Sequence, residues 1–310
     1  MSVFSRVQKR LLRTYFKVFY SAPVQRIFGP KFSTPLDPSA PAIWQTLSDE
    51  LAREGIAVTT VDELFGTGTF AMLRSWAEEE RKSKEKRSLI PGKQFIQYLW
   101  ADPFPVDFKN PFLVTVLSKH MLSLAETYLG TRPVLYNLTL NVTVPVGSEA
   151  AQSSQRWHRD PEDIKLLKMF IYLSPVDEES GPFTYVRQSA SGLRWGSVFP
   201  ARTPEATYPP LGRVEQKVDP SFIQSYAAPA GTVIFANTAG LHKGGHARSR
   251  ERFMFTAGFH TPVSPWPSRF MYPDGWEGEL VSRGLSAHAR QAVAPHFRQL
   301  SSRLLSMLIE

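Results

Sequence analysis

The chain contains no cysteine. That excludes a disulfide scaffold, thiolate zinc sites, iron–sulfur clusters and a cysteine nucleophile, and leaves histidine and carboxylates as ligands for any metal. A Gly-x-Ser-x-Gly elbow is also missing, which removes the commonest serine-hydrolase arrangement. There is no zinc-finger spacing and no RNA-binding aromatic motif, so nucleic acid is not an expected partner. Internal repeats and low-complexity tracts are absent as well. What remains is a chain of 310 residues, 42% of them hydrophobic, enough for one large domain or two small ones around a sizeable core.

Cations without acids gather at the N-terminus. Residues 1–32 carry Arg6, Lys9, Arg10, Arg13, Lys17, Arg26 and Lys31 and no Asp or Glu, a local charge of +7 out of the chain's +8. The other 278 residues are therefore nearly neutral. On a helical wheel of about 100° per residue the first five cations fall in an arc of roughly 100°. Phe4, Val7, Leu11, Tyr15 and Val18 gather on the other side. This pattern fits an interfacial helix on an anionic membrane, an ordinary helix docked by its apolar face, or in part an organellar address. It is too charged to span a bilayer and lacks the apolar core of a secretory signal.

Beyond it, Ile43, Leu47 and Leu51 predict a helix over 42–53, stopped by Gly55 and followed by a buried strand at Ile56–Val58. A second helix is predicted from Thr69 into the charge run Glu78–Arg87, whose acids and bases pair four apart on a solvated face. A third is predicted over Phe112–Leu129, closed by Gly130. Then the period changes from 3.6 to 2. Asn137–Val144 alternates polar and apolar, and further strands are expected at 166–173, 183–186, 214–218, 232–236 and 253–259. So many strands without long helices between them argue a β-sandwich or jelly roll. Five prolines within 199–221 suggest an irregular insertion over one end of the sheets, suited to a lid. A last helix is expected over about 287–308, kinked or divided by Pro295.

Seven histidines are available as ligands. His158 precedes Asp160 by two residues, and on an extended backbone such side chains point the same way. Their companion is His242, which follows the strand 232–236, or His246 four residues on. Two histidines and a carboxylate on one face of an octahedron form the site of non-haem Fe(II) oxygenases. Arg252 opens the apolar strand Phe253–Phe259, and a guanidinium buried there needs an anion, for which its fork suits a carboxylate. Asn141 shares a polar strand face with Asn137, Thr139 and Thr143, a face that meets either solvent or a cosubstrate cavity. Lys168 and Tyr172 share one face of the next strand, and Trp157 lies either at the substrate opening or in the core. Asp163, five residues after His158, is a weaker carboxylate candidate than Asp160. His260 is expected to be structural, and His120, His288 and His296 ordinary helix residues.

The segments Trp157-His158-Arg159-Asp160-Pro161-Glu162-Asp163, Lys168–Leu173 and Gly181-Pro182-Phe183-Thr184-Tyr185-Val186, followed by His242 and Arg252, resemble the phytanoyl-CoA dioxygenase family of Fe(II)/2-oxoglutarate oxygenases. The likeness covers roughly 135–260, with 51–61 similar to the family's opening helix and strand. It implies an α+β fold with a mainly β core, a double-stranded β-helix (jelly roll, cupin-like) with flanking helices at both ends. It further implies Fe(2+) held by His158, Asp160 and His242, with 2-oxoglutarate anchored by Arg252, to which we add Asn141 as a cosubstrate contact. The spacing to Arg252 favours His242 over His246. The expected reaction uses O2 and 2-oxoglutarate to hydroxylate or desaturate a small organic or lipid-like substrate, releasing succinate and CO2. A carboxylate at 160 speaks against halogenation, because the related halogenases have a small residue there. The alternative is a non-catalytic or 2-oxoglutarate-independent cupin-like metal-binding protein attached peripherally to a membrane. Arg187-Gln188-Ser189-Ala190-Ser191 departs from the Gly-Ser-His turn common in the family. The expected organisation is a basic segment over 1–32 and one oxygenase domain over 33–310, its β-helix at about 134–262. The expected location is cytoplasmic, with peripheral membrane contact through the basic segment.

Overall fold

The structure, a computed structural model, describes residues 6–19, 35–83, 88–90, 93–145, 151–202, 206–264 and 266–294. The basic segment forms α1 (Arg6–Phe19), and the rest of the expected 1–32 unit lies outside the described residues. The next elements are α2 (Ala42–Glu54), β1 (Ile56–Thr60), α3 (Val61–Phe65) and α4 (Thr69–Ser83). Gly55 ends α2 in the left-handed region at φ 76°, and its N–H donates to the Leu51 carbonyl. The Thr60 hydroxyl and Glu63 carboxylate cap α3 reciprocally. Of the charge run 78–87, the last four residues fall outside the described part.

Next come β2 (Ser88–Ile90), β3 (Lys93–Tyr98) and β4 (Phe104–Pro105), none of which the sequence pattern announced. The single helix expected over 112–129 is instead two, α5 (Pro111–Val116) and α6 (Lys119–Leu129). Ser118 is extended, at φ −63° and ψ 152°, and breaks the chain direction between them. The apolar stripe runs through the break, with Phe112, Leu113, Val116, Met121, Leu122 and Leu129 all buried, so periodicity alone conceals it.

The core strands are β5 (Val134–Thr143), β6 (Leu166–Tyr172) and β7 (Phe183–Val186). The expected strand at 214–218 is a short helix, α7 (Arg213–Lys217). Val214 and Val218 are buried four residues apart, a spacing that satisfies both helix and strand periods. Then follow β8 (Ile223–Ser225), β9 (Thr232–Ala236), β10 (His242–Gly244), β11 (Arg252–His260) and β12 (Phe270–Met271). The chain continues into α8 (Trp276–Ser282) and α9 (Ala287–Val293). The predicted last helix is described only to Val293; Pro295 and everything after it lie outside the described residues.

The strands form a seven-stranded antiparallel sheet, β1-β9-β6-β11-β5-β3-β2, and a three-stranded sheet, β10-β7-β8. A parallel pair, β4 with β12, lies apart from them. Alternation assigns each face of the large sheet. Leu138, Leu140 and Val142 of β5, Leu167, Met169 and Ile171 of β6, and Phe253, Phe255 and Phe259 of β11 join one core with Trp44 and Leu47 of α2 and Phe112 of α5. Each such fully buried side chain stabilises the fold by about 1.5–3 kcal/mol. The opposite faces turn inward between the sheets. There Phe170, Tyr172, Phe183, Tyr185 and Ile234 close one region with apolar contacts. The remaining interior is a polar cavity. This mainly β jelly roll with flanking helices is the fold class expected of the sequence.

Candidate metal centre and cosubstrate cavity

His158 and Asp160 lie on an extended segment before β6, and His242 opens β10. Backbone hydrogen bonds join them: His158 N–H donates to the His242 carbonyl at 2.9 Å and His242 N–H to the His158 carbonyl at 3.0 Å. Asp160 N–H donates to the Thr238 carbonyl at 2.9 Å. Strand-like pairing sends the three side chains to one place, where one ligand atom from each lies within 4.8 Å of the others. His158 Nε2 is 3.5 Å from Asp160 Oδ1, and His242 Nε2 is 3.6 Å from Asp160 Oδ2.

The other ring nitrogens fix the tautomers. His158 Nδ1 is 2.9 Å from the Arg156 carbonyl and His242 Nδ1 3.0 Å from the Gly240 carbonyl. A carbonyl only accepts, so each Nδ1 carries the proton and each Nε2 lone pair faces Asp160, the arrangement a metal ligand requires. Burial lowers the His242 pKa to about 3, with the neighbouring His158 acting in the same direction, and keeps the ring neutral. Burial alone would raise the Asp160 carboxyl, but Lys168, His242 and His158 hold it well below the usual carboxylate range. Lys168 Nζ donates to Asp160 Oδ2 at 2.6 Å.

The three groups face a cavity of about 610 Å³. Asn137, Thr139, Asn141 and Thr143 all line it, so the polar face of β5 borders the cavity rather than bulk solvent. Arg252, only 4% exposed, also lines it. Its Nη2 donates to Thr143 Oγ1 at 3.3 Å, while Nε and Nη1 have no partner among the described residues. Burial pulls this guanidinium below its ordinary pKa. Asn141 Nδ2 lies 3.4 Å from Thr139 Oγ1, and its Oδ1 has no partner among the described residues. Asn141 is opposite Met254, two residues along β11 from Arg252.

Other candidates fall elsewhere. The Tyr172 hydroxyl donates to the Tyr226 carbonyl and accepts from Phe183 N–H, which ties it into the apolar region. Trp157 packs with Val186, Val214 and Leu241, and its Nε1 donates to Glu215 Oε1 at 2.6 Å. Asp163 accepts from the Thr261 N–H and hydroxyl, a loop-fixing role. His260 stacks on Tyr136 with centroids 4.8 Å apart. His246 is not part of the three-ligand cluster.

Three neighbours of the centre were not singled out from sequence. Arg159 is 1% exposed and has no carboxylate partner among the described residues. It donates to the carbonyls of Phe199, Ser189, Ala239 and Val198 at 2.6–2.9 Å. Tyr208, from the proline-rich insertion, stacks on His158 at 5.6 Å and covers it from outside. Glu162 lines the cavity beside Lys168, with Oε1 3.9 Å from Nζ. Only Tyr208 had a signal of its own, its place in the segment expected to form a lid.

No family model matches the chain, and no curated protein does. Solved structures do match its fold. The epimerase SnoN, whose structure holds Fe3+, alpha ketoglutarate and nogalamycin RO, aligns with a TM-score of 0.52 and 16% identity. The alignment covers 74% of this chain and 87% of SnoN. EctD from S. alaskensis, in a structure with 2-oxoglutarate and 5-hydroxyectoine, aligns with a TM-score of 0.53 and 13% identity over 79% of this chain and 85% of EctD. At such identities the likeness is one of fold: the chain has the jelly-roll fold of these non-haem, 2-oxoglutarate-binding proteins, with a buried His-Asp-His cluster in its cavity.

Proposed function

We propose that the protein is an Fe(II)/2-oxoglutarate-dependent oxygenase, of the phytanoyl-CoA dioxygenase type that its motif order resembles, which hydroxylates or desaturates a small organic substrate. The observation that carries this reading is Arg252. A buried guanidinium with two unpartnered nitrogens is costly, and it lies in the same cavity as a ligand-ready His-Asp-His cluster. A dicarboxylate that reaches from the cluster to Arg252 satisfies both. A 2-oxoglutarate-independent metal protein would leave that fork without an anion.

In this reading His158, Asp160 and His242 hold Fe(II), and Arg252 receives the far carboxylate of 2-oxoglutarate, assisted by Thr143 and Asn141. Bound iron supplies the redox chemistry with O2 that couples loss of CO2 from 2-oxoglutarate to oxidation of the substrate. The chain's own groups orient and exclude. Nδ1–H donation to carbonyls keeps both imidazoles in one tautomer, and Lys168 fixes the Asp160 carboxylate. Phe170, Phe183 and Met254 line the inner wall and keep it dry, while Tyr208 shields His158.

Succinate release by the purified protein with Fe(II), 2-oxoglutarate and O2, uncoupled or with substrate, is the direct test. No succinate, together with no calorimetric 2-oxoglutarate binding in the presence of Mn(II), would sink the reading. Arg252→Ala is expected to weaken 2-oxoglutarate binding by about 100-fold or more while metal binding persists, since a bidentate charged pair is lost. We also propose that the basic segment 1–32 contacts an anionic membrane surface. Among the described residues no helix is long and apolar enough to cross a membrane.

A further inference from the structure

The cavity has two ends. Arg252 pairs with Thr143 across β11 and β5, whereas six residues further along β11 Gly258 pairs with Asn137 on one side and Lys168 on the other. At about 3.4 Å per residue the two ends are roughly 20 Å apart. Glu162, Trp266 and Arg269 join Asn137 at the second end: Trp266 Nε1 donates to the Pro161 carbonyl, and Arg269 N–H to the Tyr136 carbonyl. Arg269 is held at 2.9 Å by Asp102.

Two acceptors at this end have nothing to accept. Among the described residues, Asn137 Oδ1 and Glu162 Oε2 are shielded from solvent and have no hydrogen-bond partner, and neither does the neighbouring Tyr136 hydroxyl. Leaving a buried polar atom unsatisfied costs about 1–3 kcal/mol, more for a charged one, so both call for a donor from a ligand. Gly258 lets the Asn137 amide and the Tyr136 ring lie close against β11 at this end: a Cβ there would be 2.7 Å from Asn137 Oδ1 and 2.6 Å from the Tyr136 ring. Net charge narrows the ligand further. The charged side chains lining the cavity are Arg252, Lys168 and Arg269 against Asp102, Asp160 and Glu162, a balanced set. Fe(II) and doubly ionised 2-oxoglutarate add no net charge. The aromatic faces of Tyr98, Trp100 and Trp266 supply an apolar wall beside the acceptors.

We propose that the end of the cavity opposite Arg252 is a substrate subsite for a compact, net-uncharged molecule that presents O–H or N–H donors to Asn137 and Glu162 and an apolar face to the aromatic wall. Hydroxylated or amide-bearing rings have this chemistry; carboxylates and coenzyme A thioesters do not. The assignment rests on the oxygenase reading, since Fe(II) and 2-oxoglutarate complete the charge balance.

The test uses the full chain loaded with Mn(II) and 2-oxoglutarate, with calorimetric titration of myo-inositol, N-acetylglucosamine, glucuronate and acetyl-coenzyme A. At least one of the first two is expected to bind, and to bind tenfold or more tighter than glucuronate or the thioester. Inositol carries only O–H donors and N-acetylglucosamine adds an N–H, so their ratio separates the two donor sources. Glu162→Gln and, separately, Asn137→Ser should each weaken the neutral ring by about tenfold or more, because an acceptor is replaced or lost. Tighter binding of glucuronate or acetyl-coenzyme A overturns the assignment. So does binding of neither neutral ring, or neutral binding that both substitutions leave unchanged. Mn(II) and 2-oxoglutarate affinities are measured first on the unaltered chain. If 2-oxoglutarate does not bind, it is the oxygenase reading that has failed, and not the subsite alone.

Discussion

Arg159 shows what a single residue contributes around the metal cluster. It lies between His158 and Asp160, so alternation turns it away from the cavity, and its guanidinium gathers carbonyls from the 189, 198–199 and 239 segments. Burial lowers its pKa to about 10, and it still carries its charge at neutral pH. The Ala239 carbonyl belongs to the turn that delivers His242, so the clamp fixes one ligand relative to the other two. Arg159→Lys keeps a charge but loses the fork. We expect it to reduce urea-unfolding stability by about 1–3 kcal/mol, the cost of buried carbonyls left without a donor, and to weaken Mn(II) binding about 10–100-fold. A normal Mn(II) affinity in a folded variant would limit the clamp to stability. His242 adds a pH signature. Its folded pKa of about 3 is below the unfolded value near 6.5, so the unfolded state takes up the proton first. The metal-free protein should therefore lose stability as pH falls from about 6.5 toward 3, by up to about 1.4 kcal/mol per pH unit from this group. His242→Asn should flatten the slope of urea-measured stability near pH 5 by about that amount. Of these residues, the H-x-D pair was legible because i and i+2 share a strand face. Arg252 owed its proposed role to a resemblance and to the cost of burying its charge. Arg159 was not legible, because its partners come from other parts of the chain and from folding alone, and no spacing marked Glu162 as a cavity residue.

Strands that alternate over seven or more residues, β5, β6 and β11, were readable to within a few residues, since one face meets helices and the other the cavity. Elements of two to six residues, such as β2, β3, β4, β8 and β10, owe their existence to pairing partners and leave little pattern. The 214–218 segment was misread because two valines four apart fit either period, and the 112–129 helix because its stripe crosses Ser118. Gly258 is the element-level feature with the sharpest consequence. The pairing of β11 with β5 shifts register between Gly258 and Phe259, a bulge that brings Asn137 and the Tyr136 ring over the glycine. Gly258→Ala must push one of them aside. Overpacking of this kind costs about 1–3 kcal/mol, and a 100–300-residue domain should show it as a Tm lower by several degrees. An unchanged Tm would mean that Tyr136 and Asn137 give way freely.

In the whole molecule, the charge asymmetry of the sequence has a spatial counterpart. Among the described residues, the β-helix and its helices build their cores from residue 36 onward. Tyr15 of α1 is half buried, and burial together with the Asp163 charge raises its phenol, which puts that side of the helix near the loop after the metal ligands. Arg10 is exposed, and Val7 is 67% exposed. One side of the helix thus approaches the domain, while Arg10, Arg13, Val7 and Val18 are exposed. If these exposed residues meet an anionic bilayer, each basic residue near the headgroups adds about 1 kcal/mol, and the attraction weakens with salt. The full chain is expected to sediment with phosphatidylserine-containing vesicles at low salt and to release from them at several hundred millimolar NaCl, where the screening length falls below about 8 Å. A chain lacking residues 1–32 should stay in the supernatant at every salt concentration while its uncoupled succinate formation remains within about twofold, because the metal ligands and Arg252 come from residues 158–252. Vesicle binding that survives the deletion would assign the membrane contact to another surface. Loss of succinate formation together with a lowered Tm would instead make docking on the domain the main role of α1.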